Sequence, residues 1–236
     1  MAGTVSENLI NIQDRIRKAA RKAGRDPGEV TLVVVTKGFD IKKIKEAFSA
    51  GARVFGENYV QEAEEKAGKI KDKSVKWHFI GHLQKNKVKL ALELFDVIHT
   101  VDSPELASEI NKRATEPADI LIEVNIAKEK TKSGVDAEGA VKLARAISSM
   151  DKLRLRGLMT IPPFVENPDM SRPYFVALRR LAERINKEHL PGVFIRDLSI
   201  GMSSDFEVAV EEGATLVRVG TAIFGPRPEK KGSKGA

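Results

Sequence analysis

Lys37 sits near the end of the run TLVVVTKGF, residues 31–39, in which five of the first six residues are β-branched. Such a run reads as a fully buried strand carrying an ammonium group at its mouth. An amine is costly to bury unless it is paired, neutral or used covalently; the plainer reading is a lysine whose stem lies along the strand end and whose head reaches water. Two later stretches hold complementary chemistry. Ile200-Gly201-Met202-Ser203-Ser204-Asp205 and Val219-Gly220-Thr221-Ala222 combine small residues, hydroxyls and backbone N–H groups of the kind that cradle an oxyanion, and Arg218 directly precedes the second. Helix capping by Ser204 or Asp205 would use some of the same residues. Two such loops, an inward lysine and an inward arginine suit a phosphorylated aldehyde, gripped by its phosphate and held by the amine as a Schiff base.

The elements that must position these groups alternate along the chain. Strand-like runs at 31–39, 53–56, 76–81, 96–101, 118–126, 153–160, 194–200 and 214–220 are separated by helical periodicity at 41–50, 60–70, 85–94, from Ser103 and Pro104 onward, and at 139–150, 172–188 and 205–212. An entry helix at 6–23 precedes them, and a final turn is expected at 222–224. This pattern predicts a (β/α)8 TIM barrel forming one domain over residues 1–226, with a basic, disordered tail at 227–236. An open doubly wound sheet would call for a glycine-rich fingerprint after the first strand, which the sequence lacks. Alternation along barrel strands turns Val33, Val35 and Lys37 inward, and likewise Val54, Gly56 and Asn58; His78 and Ile80; Glu123 and Asn125; and Arg218 and Gly220. Tyr59 has the opposite parity and is expected to pack.

Composition narrows the partners. The 236 residues contain no cysteine, which excludes a disulfide scaffold and thiol chemistry and fits a reducing cytoplasm. No apolar run approaches the roughly 20 residues of a membrane span. The net charge of +7 arises from 40 basic residues interspersed with 33 acidic ones, with a local excess at Lys230, Lys231 and Lys234, so a solvated tail is expected and no nucleic-acid partner. No metal site is expected.

Pyridoxal phosphate is the common phosphorylated aldehyde held by a lysine. With Arg218 facing its ring nitrogen, that nitrogen would stay unprotonated, and the ring would be a poor electron sink. The wider motif set points the same way. Val35-Thr36-Lys37-Gly38, Phe55-Gly56-Glu57-Asn58-Tyr59-Val60-Gln61-Glu62, Trp77-His78-Phe79-Ile80-Gly81 with Leu83-Gln84 and Asn86-Lys87, and Glu123-Val124-Asn125-Ile126 with Lys132-Ser133-Gly134 recur in order, followed by Gly157-Leu158-Met159-Thr160-Ile161-Pro162, Gly201-Met202-Ser203 with Asp205, and Val217-Arg218-Val219-Gly220-Thr221. On these motifs, from the first helix to about Pro226, the chain resembles the pyridoxal phosphate homeostasis proteins. Those are single-domain relatives of the alanine racemase barrel, fold type III, without the racemases' C-terminal β-domain.

The resemblance implies that Lys37 forms the Schiff base, that Ser203, Gly220 and Thr221 hold the phosphate with Ser204 beside them, and that Arg218 faces the pyridine nitrogen. Asn58 and His78 would line the ring side of the pocket, with Met202 nearby; Lys132 could serve as a second amine for the cofactor. Gly38, His82 and Ile200 depart from residues common in the family and touch loop shape rather than a ligand. The expected role is a cytoplasmic carrier that buffers pyridoxal phosphate and hands it to apoenzymes, as a monomer or weak dimer. The alternative is an amino-acid racemase, for which a second acid–base group opposite the lysine is not evident. A barrel for a phosphorylated sugar or indole intermediate would use the same loops, with Glu123 as its acid.

Overall fold

The computed structural model describes residues 3–129 and 131–227. Helix α1 (Val5–Lys22) opens on a reciprocal cap in which the Thr4 hydroxyl accepts from Glu7 N–H and the Glu7 carboxylate accepts from Thr4 N–H. Leu9, Ile12, Ile16 and Ala20 form its buried face, and the helix packs against the helices at Phe206–Glu211 and Thr221–Phe224. Eight strands follow: β1 (Thr31–Val35), β2 (Val54–Glu57), β3 (Lys76–Phe79), β4 (Val97–Val101), β5 (Ala118–Glu123), β6 (Leu153–Met159), β7 (Asp197–Ser199) and β8 (Leu216–Val219). Between and after them run α2 (Ile41–Ser49), α3 (Val60–Ala67), α4 (Val88–Leu94), α5 (Pro104–Arg113), α6 (Ala137–Ile147), α7 (Arg172–Asn186), α8 (Phe206–Glu211) and α9 (Thr221–Phe224). Every strand pairs in parallel with its sequence neighbour, and β8 pairs with β1, so the sheet closes as the expected barrel. No helix among the described residues is long and apolar enough to cross a membrane.

Several boundaries differ from the sequence reading for identifiable reasons. The seventh strand is expected from residue 194, yet β7 starts at Asp197. The Asn186 side chain accepts from Ile195 N–H and donates to Ile195 C=O, taking the place of a neighbouring strand, and Phe194 turns out to solvent. The fifth strand is expected to reach residue 126 but ends at Glu123. Beyond it Asn125 folds its own loop, donating to the carbonyls of Glu129 and Lys132 and accepting from Glu129 N–H. Helix α6 starts two residues earlier than expected because Asp136 caps it through Gly139 N–H.

The barrel interior is layered. Asp119, Arg156 and Asp197 form ion pairs at the N-terminal end of the strands. An apolar plug of Val33, Val97, Leu121 and Leu216, with Val54 against it, fills the next level. Most of the core lies outside, between strands and helices, where Phe55, Phe79, Ile120, Ile122, Val217 and Val219 pack. Towards the C-terminal ends the interior turns polar, with His78, His99, Ser199, Arg218 and Glu123 all buried. Chemistry is therefore concentrated at the end where barrel enzymes keep their sites.

Candidate functional site

Lys37 lies just past β1, half-buried, and both of its backbone neighbours are clamped. The Thr36 hydroxyl donates to Glu57 Oε1 at 2.5 Å, and Gly38 N–H donates to Glu62 Oε1 at 2.7 Å. Between these carboxylates sits the buried Lys66 ammonium, which donates to Glu57, to Glu62 and to the Thr36 carbonyl at 2.6, 2.6 and 2.7 Å. Burial pushes the Glu57 carboxyl up from its ordinary range, against the opposing pull of Lys66 and Thr36. Gly38 has φ +76, a conformation natural to glycine, which turns its N–H towards Glu62. The Lys37 amine makes no hydrogen bond or ion pair among the described residues; it lies 5.7 Å from the centre of the Tyr59 ring. Tyr59 is 54% exposed, so it stands at the rim and does not pack as expected.

Arg218 enters from β8. One terminal nitrogen donates to Ser199 O and Oγ, both at 2.7 Å, and the other to the Thr160 carbonyl at 3.0 Å. A guanidinium has five N–H donors, and the two remaining have no acceptor among the described residues. Desolvation lowers the group to about 10, with Asp205 and Glu123 opposing. In the loops after β7 and β8, Thr221 Oγ1 and Ala222 N–H both donate to Ser203 Oγ, at 3.1 and 3.3 Å. Asp205 braces the first of these loops, accepting from Met202 N–H at 2.7 Å and from the Ser171 hydroxyl at 3.0 Å. At Gly220 an added Cβ would come 3.0 Å from the Val35 carbonyl, so glycine lets the last loop lie against β1.

These groups converge on a cavity of about 370 Å3 at the barrel mouth, lined by Val35, Lys37, Asn58 and Ile80 on one side, Met202, Ser203, Ser204, Arg218, Gly220 and Thr221 on the other, and Ile161 and Phe164 from the loop after β6. The volume lies in the range of small-molecule pockets. Nearly every residue expected to meet the cofactor is in this wall. His78 is the exception: its Nδ1 lies 2.9 Å from His99 Nε2 inside the barrel, and Ile80, two residues on, occupies the wall in its place. Lys132 is also displaced from the main cavity. It lines a side hollow with Glu123 and Asn125, and its amine pairs with Glu129 at 2.6 Å and donates to the Ile161 and Pro162 carbonyls. Glu123, in that hollow, is raised to about 7 by desolvation and by the charge of Asp102, with Arg218 opposing.

Sequence reasoning assigned no role to four contributors. Arg227 was expected in a disordered tail, yet it lines the cavity; residues 228–236 of that tail lie outside the described part of the chain. Ile161, part of the Gly157–Pro162 motif, and Phe164 line it too, from a proline-rich loop whose apolar residues suggest no ligand contact in sequence. Lys66 carried none either, since a lysine in a helix reads as solvated until its acceptors are seen. The donor set fits pyridoxal phosphate: hydroxyls and a glycine-thinned loop for a phosphate and, without partners among the described residues, guanidinium N–H groups for a ring nitrogen and an amine for an aldehyde.

Comparison with known proteins bears on this directly. Residues 8–228 match the family described as alanine racemase, N-terminal domain. The pyridoxal phosphate homeostasis protein of Aquifex aeolicus is 44% identical over 224 residues, covering 94% of this chain and 97% of that one. The chain belongs to this family. Among solved structures, PipY of Synechococcus elongatus with PLP bound shares 33% identity, with a TM-score of 0.82 over 94% of this chain and 100% of that one. Alanine racemase from Corynebacterium glutamicum, 20% identical with a TM-score of 0.69, shares the fold; this chain covers 64% of it.

Proposed function

We propose that this protein binds pyridoxal 5'-phosphate at the barrel mouth and serves intracellular homeostasis of that cofactor as a cytoplasmic carrier, without catalytic turnover. The observation that carries the reading is the convergence on one cavity of the Lys37 amine and two Arg218 N–H donors, all without partners among the described residues, and the Ser203–Thr221 hydroxyl pair. Relatives over nearly the whole chain bear the homeostasis name, and PipY holds PLP in the same fold. The absence of cysteine suits a reducing compartment.

The residues divide the work. Ser203, Gly220 and Thr221, with Ser204 and Met202 beside them, would hold the phosphate, and Asp205 keeps their loop in shape through Met202 N–H. Lys37 is the amine placed for the aldehyde, its backbone fixed on both sides by the Glu57–Lys66–Glu62 clamp. Arg218 would face the ring nitrogen, where a donor charged at neutral pH disfavours a second proton. Asn58, Ile80, Ile161 and Phe164 supply the walls. Bound pyridoxal phosphate is an electrophile and an electron sink, and pairing its nitrogen with a cation rather than a carboxylate weakens the second property. That favours holding over carbanion chemistry. Lys132 is held by Glu129 and two carbonyls, so a role as a second amine would require those bonds to break.

Loading with pyridoxal phosphate, removal of the free cofactor, and an absorption spectrum test this reading. A retained visible band that is lost in Lys37→Ala, with far-ultraviolet circular dichroism unchanged, is the expected result. Retention of the band in Lys37→Ala would move the site to another lysine, Lys132 first. A chain that never loads would favour the phosphorylated-metabolite barrel. Deuterium exchange at the α-carbon of added amino acids separates carrier from racemase; the carrier reading expects none.

A further inference from the structure

Below the cavity, four side chains from β3, β4, β7 and β8 make one continuous polar chain. Arg218 donates to Ser199 Oγ at 2.7 Å, Ser199 Oγ lies 2.9 Å from His99 Nδ1, and His99 Nε2 lies 2.9 Å from His78 Nδ1. His99 and Ser199 are fully buried, and neither they nor His78 line the cavity. The direction of the chain is fixed at one end, because a guanidinium can only donate. Ser199 Oγ therefore accepts from Arg218, and its own proton has one acceptor among the described residues, His99 Nδ1.

The proton order follows. His99 carries its proton on Nε2 and gives that hydrogen bond to His78 Nδ1, which leaves His78 also protonated on Nε2. The opposite order would leave the buried Ser199 hydroxyl hydrogen with no acceptor, an arrangement buried polar groups avoid. Both rings are neutral: burial holds His78 at about 4, and burial first, with the nearby charge of Arg218, holds His99 well below its ordinary value. A protonated His99 would donate towards Ser199 and compete with Arg218 for the same oxygen.

We propose that Ser199 and His99 are positioning residues for cofactor recognition: they fix the rotation of the Arg218 guanidinium so that its unused N–H donors are presented to the ring nitrogen in the cavity. The inference rests on the pyridoxal phosphate reading above, and it adds two residues that touch no ligand. Their effect is transmitted through a single side chain. Thr160 O and Ser199 O hold the guanidinium from the protein side, and the Ser199 hydroxyl, locked by His99, makes the third bond.

The test joins two readouts. Nitrogen-15 NMR of histidine in the cofactor-free protein should find His78 and His99 unprotonated at Nδ1 and protonated at Nε2, unchanged from pH 8 to pH 5.5. A proton on His99 Nδ1 would overturn the proposed order. Absorption and affinity of the loaded protein then report the positioning. His99→Gln keeps an acceptor and a donor and should match the wild type. His99→Leu, which removes both, should shift the band towards the ring-protonated form and weaken pyridoxal phosphate binding about tenfold. Ser199→Ala is the smaller second variant should His99→Leu fail to fold, with the same shift expected. A lower Tm with an unchanged spectrum and affinity would make the chain purely structural and refute the proposal. A wild type that fails to load refutes the binding reading itself, and the histidine spectra separate that failure from this one.

Discussion

At the scale of single residues, the site depends on burying cations and leaving the right ones unpaired. Lys66 is bonded to the turn that carries Lys37, yet of the two only Lys66 has acceptors among the described residues. Replacing Lys66 by Met would strand the buried Glu57 carboxylate. A loss of about 3 kcal/mol in urea unfolding is expected, largely recovered in the Lys66→Met, Glu57→Gln double variant. Equal losses in single and double variants would mean that the pair is not coupled. Lys37 itself was legible in the sequence because an ammonium at the end of a β-branched run is unusual. Lys66 was not, because its acceptors come from residues 36, 57 and 62 and meet only after folding. His78 shows the opposite error. Its parity correctly turns it inward, but parity gives no depth along the barrel axis, and Ile80 rather than His78 reaches the wall.

Between elements, the decisive contacts are backbone approaches that strand periodicity foreshadows only in part. The loop after β8 lies against β1 because Gly220 has no side chain. Gly220→Ala would drive a methyl group towards the Val35 carbonyl, with an expected cost of about 1–3 kcal/mol and weaker cofactor retention, since Thr221 and Lys37 flank that contact. Unaltered retention would detach the loop from the site. The strands and their order were readable from alternation of β-branched and helical runs, and so was the identity of the two hydroxyl-rich loops. Their ends were not: β5 stops early and β7 starts late because Asn125 and Asn186 side chains capture backbone that would otherwise extend the ladder. An asparagine in sequence gives no sign of which backbone it will take.

For the whole molecule, the buried titratable groups set opposing responses to acid. Glu123, raised to about 7 in the folded chain, contributes stability that is complete below about 4.5 and is lost as pH rises through 7. His78, lowered to about 4, contributes stability that is complete above about 6.5 and is lost as pH falls through 4, with His99 acting in the same direction. Each shift is worth about 3 kcal/mol. Between pH 7 and 4.5, Glu123→Gln should therefore lose about that much more stability than the wild type, and His78→Gln should lose less, as measured by urea unfolding at the two pH values. Identical pH dependence in all three proteins would contradict the burial of these groups. The barrel that buries them also brings Lys37, Arg218 and the two loops to one mouth, and that convergence is the central claim. Borohydride reduction of the pyridoxal phosphate-loaded protein, followed by peptide mapping, tests it most directly. The label is expected on Lys37 alone; a label on Lys132 or spread over surface lysines, with Lys37 unmodified, would contradict that convergence.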